Sequence, residues 1–275
     1  MIAEYNMLMN TYLKRTARNL LTSCGSRRLS TTAPNSTTLL SASIPHVEVL
    51  FAPRGLPMQR HPQPIRNIYC IGRNYAEHAT ELGNPILKEE PIIFLKSTSS
   101  LRGLQPSPLA FADETFHYEI EVVILIGEVV PLNTLEGKSD CTSCVDAVGL
   151  GLDLTRRGKQ SDLKQKGHPW TVAKSFAGSA IVSPMSKVDA SIDLDNLEFT
   201  LDVNGTQRQK GHVREMTFSM SAQLSFLNRH TALLPGDLLF TGTPKGVGEI
   251  RQGDSIEMTF TQGVGSRVRP YAGIL

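Results

Sequence analysis

Two glutamates separated by one residue begin the strand-like segment from His117 to Ile126. The two-residue period of a strand places His117, Glu119 and Glu121 on one face. Carboxylates about 5 Å apart would repel each other by about 3 kcal/mol at an effective dielectric constant near 20, so solvent, a proton or a cation must relieve them. Because the segment continues into an apolar run typical of a sheet interior, a hard cation is as good an interpretation as a solvated face.

A third carboxylate follows a second strand-like segment, which begins at Val148. Its even positions are apolar, whereas Gly149 and Gly151 clear the other face, on which Asp153 follows. Small residues that lead to a carboxylate predict room for a ligand. Three carboxylates without a cysteine favour Mg²⁺, Mn²⁺ or Ca²⁺ over zinc, with water or substrate as further ligands.

A histidine and a glutamate three residues apart, His78 and Glu81, are neighbours on the face of a predicted short helix. The segment from Asn74 to Glu77 resembles a capping box at the start of that helix, which ends before Gly83. A carboxylate beside an imidazole fixes its tautomer and raises its basicity, as a general base for water requires. A purely structural pair is the alternative interpretation.

Two further segments carry groups that suit an anion. Lys174 is a lone lysine in an otherwise uncharged stretch, so it either snorkels to solvent or is functional. The stretch from Thr241 to Gly248 follows a predicted strand and offers backbone N–H groups, but it fits no Walker pattern.

The elements that must position these residues are mostly strands. Alternating residues from Asn196 to Gln207 predict a strand that enters a hairpin at Asn204. Ser219 is the predicted N-cap of an amphipathic helix. Two further strands are predicted at 238–241 and 255–260, and no internal repeat is present, so the fold class is α+β and β-rich.

Composition excludes two classes of protein. The chain has 275 residues and a formal net charge of +2, of which residues 1–45 contribute five basic side chains and one acidic side chain. The remaining 230 residues hold 23 basic and 25 acidic side chains, which argues against a nucleic-acid partner. No run approaches the ~20 apolar residues of a membrane span. The spacing of Cys141 and Cys144 lacks a second pair, so these cysteines are interpreted as structural.

The chain is predicted to have three parts. Residues 1–45 are Arg-rich, Ser-rich and poor in acids, as in a mitochondrial transit peptide, and a disordered tail on a cytoplasmic protein is the alternative. Residues 46–64 contain several prolines and predict a linker or an extended edge segment. Residues 65–275 are predicted to form the catalytic domain.

Taken together, the segments resemble the fumarylacetoacetate hydrolase family, most closely its small mitochondrial acylpyruvase and oxaloacetate decarboxylase branch. The resemblance runs from about Ile68 to Phe260 and implies a β-rich fold, a mixed β-sandwich or roll with short helices. The motifs that carry it are Ile71-Gly-Arg-Asn-Tyr-Ala-Glu-His78, Phe94-Leu-Lys96, His117-Tyr-Glu-Ile-Glu121, Asp153-Leu-Thr, Lys166-Gly-His-Pro-Trp170, Lys174-Ser-Phe176 and Pro235-Gly-Asp to Thr241-Gly-Thr-Pro-Lys-Gly-Val-Gly248.

The resemblance also implies a site. It places Mg²⁺ or Mn²⁺ at Glu119, Glu121 and Asp153. It implies that a His78–Glu81 dyad lies on a lid-like element and that Gln160 and Lys174 handle the substrate. The further substrate-binding residues that it implies are Arg73, Lys96, Thr241, Gly242 and Thr243.

The implied activity is the metal-dependent cleavage of short α-keto acids, either acylpyruvate hydrolysis or oxaloacetate decarboxylation, and oxaloacetate tautomerisation would need only the proton transfers. The alternatives are an isomerase of unsaturated dicarboxylic α-keto acids and a catalytically silent metal-binding protein of the same fold. A homodimer is expected from the resemblance. Three residues, Ser97, Gly158 and Ala177, depart from the branch, and Gly158 weakens the helix that should carry Gln160.

Overall fold

Two β-sheets and a two-stranded ribbon form most of the chain that the structure describes. This computed structural model describes residues 45–51, 59–103, 115–262 and 266–274. The predicted transit segment therefore lies outside the described residues, apart from residue 45. The described residues belong to one unit, 43–275.

The larger sheet is mixed and follows the order β2-β1-β10-β8-β7-β13-β3-β4, and β9 joins it through β8 and carries β5. Three of its pairings are parallel, β1 with β10, β13 with β3 and β5 with β9, and the others are antiparallel. The strands are β1 (His46–Phe51), β2 (Gln59–Pro64), β3 (Ile68–Gly72), β4 (Ile92–Lys96), β5 (Leu101–Gly103), β7 (Ile120–Ile126), β8 (Val145–Asp153), β9 (Ala180–Val182), β10 (Met185–Lys187) and β13 (Leu238–Phe240).

The smaller sheet is antiparallel and follows the order β12-β11-β15-β16. Its strands are β11 (Leu197–Val203), β12 (Thr206–His212), β15 (Ser255–Gln262) and β16 (Ser266–Ile274), and the ribbon pairs β6 (Phe116–Tyr118) with β14 (Gly248–Ile250). The predicted hairpin is confirmed, because Asn204 and Gly205 both have positive φ between β11 and β12.

Four short α-helices connect the strands in the described residues: α1 (Ala76–Glu81), α2 (Arg157–Gln165), α3 (Thr171–Lys174) and α4 (Met220–His230). Single turns of 3₁₀ helix lie at Thr98–Ser100, Thr142–Cys144 and Val213–Glu215. The predicted cap of α4 is confirmed, because the Ser219 hydroxyl accepts a hydrogen bond from the N–H of Ala222. No helix of the described segments is long and apolar enough to cross a bilayer.

Strand β7 lies at the centre of the larger sheet and is buried on both faces, which explains its continuous apolar run. Its even-numbered residues, Val122 and Ile124 among them, join one core cluster with Phe199 of the smaller sheet. Its residues Val123 and Leu125 join a second cluster on the other face. The carboxylate of Glu121 shares that second face by strand alternation.

Two expectations from the sequence are corrected. The fold begins before Ile65, because β1 and β2 pair at an edge of the larger sheet, as the extended edge segment predicted for residues 46–64 allowed. The predicted capping box is wrong, because α1 begins after Tyr75 without a side-chain cap. The amide of Asn74 instead donates to the carbonyl groups of Thr241 and Phe218 and ties the start of α1 to two distant loops.

The cysteine pair behaves as a structural feature. Cys141 and Cys144 are buried free thiols. Burial raises the pKa of Cys144 to about 11, the opposite of the shift that a redox-active thiol needs.

Candidate metal centre and active site

Strand register brings three carboxylates together. Glu121 pairs with Gly151 across β7 and β8, and the N–H of Asp153 donates to the carbonyl of Glu119 over 2.9 Å. Residues directly opposite in an antiparallel pair point to the same face, so Glu119, Glu121 and Asp153 converge. All three are buried, and one carboxylate oxygen of each lies within 4.8 Å of the others. The structure therefore brings the three predicted ligands together.

The glycines of β8 let neighbouring side chains pack close to the strand, so they leave no room for a ligand. A Cβ on Gly151 would lie 2.7 Å from the Phe240 ring and 2.8 Å from the Val123 side chain. A Cβ on Gly149 would lie 3.0 Å from Met185. The space that the sequence predicted for a ligand is filled by protein.

The ammonium group of Lys174 lies among the carboxylates. Its Nζ is 2.7 Å from Glu119 Oε2, 2.7 Å from Asp153 Oδ2 and 2.8 Å from the hydroxyl of Thr155. Burial opposes this charge, but Asp153 and then Glu119 outweigh it and raise the pKa of Lys174. Lys174 is therefore buried and paired and does not snorkel to solvent, and its functional role stays a prediction.

Two more cationic side chains, those of Arg157 and Lys96, contact the carboxylates of the triad. The guanidinium of Arg157 pairs with Glu119 Oε1. Lys96 Nζ lies 2.7 Å from Asp153 Oδ1 without the alignment of a hydrogen bond, and it donates to the Lys174 carbonyl and to the Ser179 hydroxyl. Burial opposes ionisation of Glu119, but Lys174 and Arg157 outweigh it and hold the pKa of that carboxyl well below its usual range.

Glu121 has the weakest compensation of the three. Burial, followed by the charges of Asp153 and Glu119, raises the pKa of Glu121 well above its usual range. Its Oε2 accepts the N–H of Gly242 over 2.7 Å. Gly242 has a φ of 103°, and a Cβ there would lie 2.6 Å from the Asn74 Cβ, so this close approach requires glycine.

His78 of the predicted dyad lines a cavity together with Glu119 and Glu121. His78 is buried, and its Nδ1 is 3.2 Å from Glu81 Oε2. Glu81 Oε1 in turn accepts the N–H of Gly246 over 3.0 Å, which ties α1 to the loop after β13. Burial lowers the pKa of His78 despite the opposing effects of Glu119 and Glu81, so the imidazole is neutral at neutral pH. A donated Nδ1–H leaves Nε2 to accept a proton.

A cavity of about 30 Å³ lies between the dyad and the carboxylates. Predicted residues on its wall are Arg73, His78, Glu119, Glu121, Gln160, Lys174 and Thr243. The predicted substrate-binding residues Lys96, Thr241 and Gly242 do not line it. Lys96 is buried beneath Asp153, and the hydroxyl of Thr241 donates to the Val122 carbonyl. Both therefore support the site from behind.

Sequence reasoning missed several residues of the site. Thr155 binds Lys174, Arg157 binds Glu119, and Lys164 and Trp170 line the cavity. Arg157, Gln160 and Lys164 follow one another at intervals of three and four residues, which places them on one face of a helix. This spacing could have predicted that Lys164 shares the site with Gln160.

The donor set fits a hard divalent cation. The three converging oxygens come from carboxylates, the ligand type that Mg²⁺ and Mn²⁺ prefer. The cation Lys174 already lies 2.7 Å from two of the three carboxylates. Burial and the charges of Asp153 and Glu119 raise the pKa of Glu121, and a dication bound by the three carboxylates would favour the ionised form of Glu121 instead.

The match to known proteins agrees with this fold and site. Residues 67–269 match the family described as Fumarylacetoacetate (FAA) hydrolase C-terminal. The chain belongs to the fumarylacetoacetate hydrolase family, an enzyme family, as its motifs indicated.

Among curated relatives, the chain is 36% identical over 206 residues to the oxaloacetate tautomerase FAHD1, mitochondrial, of Homo sapiens, with 73% of this chain and 90% of that protein covered. It is 38% identical over 202 residues to the oxaloacetate decarboxylase, mitochondrial, of Dictyostelium discoideum, with 71% and 89% covered. The crystal structure of fumarylpyruvate hydrolase from Pseudomonas aeruginosa, in complex with Mn²⁺ and pyruvate, superposes with a TM-score of 0.70 at 30% identity and covers 86% of this chain and 97% of that chain.

Proposed function

We propose that this protein is a divalent-metal-dependent enzyme that acts on short α-keto acids, with oxaloacetate as the first candidate substrate and acylpyruvates as the second. The proposal includes oxaloacetate tautomerisation and decarboxylation, and hydrolysis of the carbon–carbon bond of acylpyruvates. The observation that carries it is the buried triad of Glu119, Glu121 and Asp153 beneath a neutral histidine. The relatives named oxaloacetate tautomerase, oxaloacetate decarboxylase and fumarylpyruvate hydrolase support it.

The triad would hold Mg²⁺ or Mn²⁺. A bound dication supplies a Lewis acid that polarises the oxygens of an α-keto acid and stabilises the negative charge that develops when a proton or a carboxyl group leaves. Glu119 and Asp153 would contribute carboxylates that already face Lys174, whereas binding of the dication would lower the raised pKa of Glu121.

The chain's own residues supply proton transfer and orientation. Nε2 of His78 accepts a proton, because Glu81 holds the other ring nitrogen. In tautomerisation that proton comes from the substrate carbon, and in acylpyruvate hydrolysis it comes from the attacking water. The side-chain NH₂ of Gln160 provides a donor on the cavity wall for substrate oxygens, whereas the three N–H donors of Lys174 are directed to Glu119, Asp153 and Thr155. The same imidazole therefore serves tautomerisation and acylpyruvate hydrolysis, whereas decarboxylation releases CO₂ and needs a proton delivered to the enolate that remains.

The decisive test is a comparison of three substrates. Turnover of oxaloacetate, acetylpyruvate and fumarylpyruvate would be measured side by side with Mg²⁺ and with a chelator. We expect metal-dependent turnover of oxaloacetate and slower turnover of at least one acylpyruvate. Glu119→Ala should abolish turnover and metal binding, and a Glu119→Ala variant with full activity would refute the proposal. A wild-type protein inactive on all three would favour a silent metal-binding member of the family.

Two further proposals concern the whole protein. A mitochondrial location is supported by the basic, serine-rich residues 1–45 and by the relatives named as mitochondrial. Imaging of a fusion that keeps those residues, beside one that lacks them, tests it. A homodimer is proposed from the family resemblance alone, and sedimentation of the purified chain tests that.

A further inference from the structure

One face of helix α2 presents three polar side chains to the cavity. Arg157, Gln160 and Lys164 are three and four residues apart, so they share that face, and all three line the cavity. The first two have partners there, because Arg157 pairs with Glu119 and also donates to Gln160 over 2.7 Å. Lys164, one turn further along the helix, forms no ion pair with a carboxylate in the described part of the chain.

The surroundings of Lys164 are apolar and cationic. Its Nζ lies 5.2 Å from the centroid of the Trp170 ring. Burial, followed by the positive charges of Arg73 and Arg157, lowers the pKa of Lys164 to about 8. A lysine with a carboxylate beside it would show the opposite shift. Lys164 is therefore a cation that the folded protein does not neutralise.

Arg73 is a second cation of this kind on the same wall. It lines the cavity, and its Nε is buried without a hydrogen-bond partner. It adopts a φ of 58°, a left-handed backbone conformation that is uncommon outside glycine and that directs the chain at the end of β3. No carboxylate pairs with Arg73 in the ranges that the structure covers.

The charges around the cavity are unequal. Five cationic side chains line the cavity or contact the triad, namely Arg73, Lys96, Arg157, Lys164 and Lys174. The triad itself has three carboxylates, those of Glu119, Glu121 and Asp153. A dication at the triad would increase the positive excess. An α-keto acid with one carboxylate offsets less of this excess than one with two.

We propose that Lys164, together with Arg73, binds the second carboxylate of a dicarboxylic α-keto acid and thereby selects dicarboxylic over monocarboxylic substrates. The assignment rests on the proposed function, which places the first carboxylate and the keto oxygen at the triad. Lys164 and Arg73 line the same cavity as Glu119 and Glu121, so one small ligand can contact the cations and the triad together. Oxaloacetate, with a carboxylate at each end of a four-carbon chain, is a ligand of that kind.

The test compares a dicarboxylic with a monocarboxylic substrate. kcat/KM for oxaloacetate and for acetylpyruvate would be measured with Mg²⁺ for wild type, Lys164→Met, Lys164→Arg and Lys159→Met, the last an exposed lysine of the same helix. Lys164→Met should lose about tenfold in kcat/KM for oxaloacetate, mainly through KM, and less than about twofold for acetylpyruvate. Lys164→Arg should retain most of the preference, and Lys159→Met should match wild type.

An equal loss for both substrates, or no loss for either, would overturn the assignment. Calorimetric binding of malate and lactate to the Mg²⁺-loaded protein provides a second measurement that needs no turnover. Wild type should bind malate more tightly than lactate, and Lys164→Met should lose that difference. If wild type turns over neither substrate, the proposed function fails, and the malate-to-lactate ratio alone then decides the carboxylate site. A ratio that Lys164→Met leaves unchanged refutes it.

Discussion

The three carboxylates of the triad differ in how they are neutralised. Glu119 faces Lys174 and Arg157, and Asp153 faces Lys174 and Lys96. Glu121 accepts only a backbone N–H from Gly242 among the hydrogen bonds of the described residues. Two chemically similar residues, separated by one position, therefore have pKa values shifted in opposite directions, that of Glu119 lowered and that of Glu121 raised. Substitution of each should have different consequences for stability.

The pair Glu121→Gln and Glu119→Gln tests this difference. In a chelator, Glu121→Gln should keep Tm close to that of wild type, because an amide oxygen can still accept the Gly242 N–H and no ion pair is lost. Glu119→Gln leaves Lys174 and Arg157 short of a partner and should cost of the order of 3 kcal/mol, or roughly 6–12 °C in Tm. Both variants should lose the rise in Tm that Mg²⁺ gives wild type. Thermal unfolding in chelator and in Mg²⁺ measures both effects, and equal destabilisation would contradict the assignment.

The pH dependence of turnover should report His78. Burial lowers the pKa of His78, so the imidazole stays neutral to a pH below its ordinary value of 6.5. The acid limb of kcat/KM for the hydrolysis of acetylpyruvate should then lie below pH 6.5, with activity lost as pH falls through it. Glu81→Gln removes the carboxylate whose hydrogen bond and charge favour the protonated imidazole, so the acid limb should move to still lower pH. The maximal kcat/KM should also fall. His168→Ala, at an exposed histidine, should leave the profile unchanged.

At the scale of elements, helix α2 forms despite the glycine that weakened its prediction. Gly158 is the second residue of the helix, and a Cβ there would contact nothing within 4 Å. Gly158→Ala should therefore stabilise the protein by about 0.5–1 kcal/mol, through the lower helix propensity of glycine, and raise Tm by roughly 1–4 °C. Catalysis should be unaffected, because the helix face with Gln160 does not change. A lower Tm would show that the helix needs the glycine.

The short helix α1 has two different kinds of connection to the loop after β13. Glu81 accepts the Gly246 N–H, and Lys245 Nζ lies 3.0 Å from Glu77 Oε2. The first contact uses the second oxygen of the glutamate that holds His78, so the side chain that orients the imidazole is itself held by this loop. The lid-like role that the resemblance implies for this element stays a prediction.

At the scale of the whole molecule, the sequence predicts what is periodic and local. The two-residue period identified Glu119, Glu121 and Asp153, and the N-cap of α4 and the hairpin at Asn204 followed from local patterns. Contacts between distant segments were beyond that reasoning. Nothing near Asn74 indicates that its amide would bond to carbonyls 144 and 167 residues away.

The supporting lysines show the same limit. Lys96 and Lys174 reach the triad from 57 and 21 residues away in sequence from Asp153, and only the folded sheet brings them there. The resemblance named Lys96 as a substrate-binding residue, but a motif carries no information on whether a side chain faces the cavity or the layer beneath. Strand β4, which carries Lys96, pairs with β3, and that pairing fixes the direction of the side chain.

Lys174 gives the triad a positive charge that is part of the polypeptide itself. The carboxylates therefore face a permanent counter-charge whether or not an inorganic ion is present. In the proposed enzyme, removal of the ion should abolish turnover and leave the fold intact.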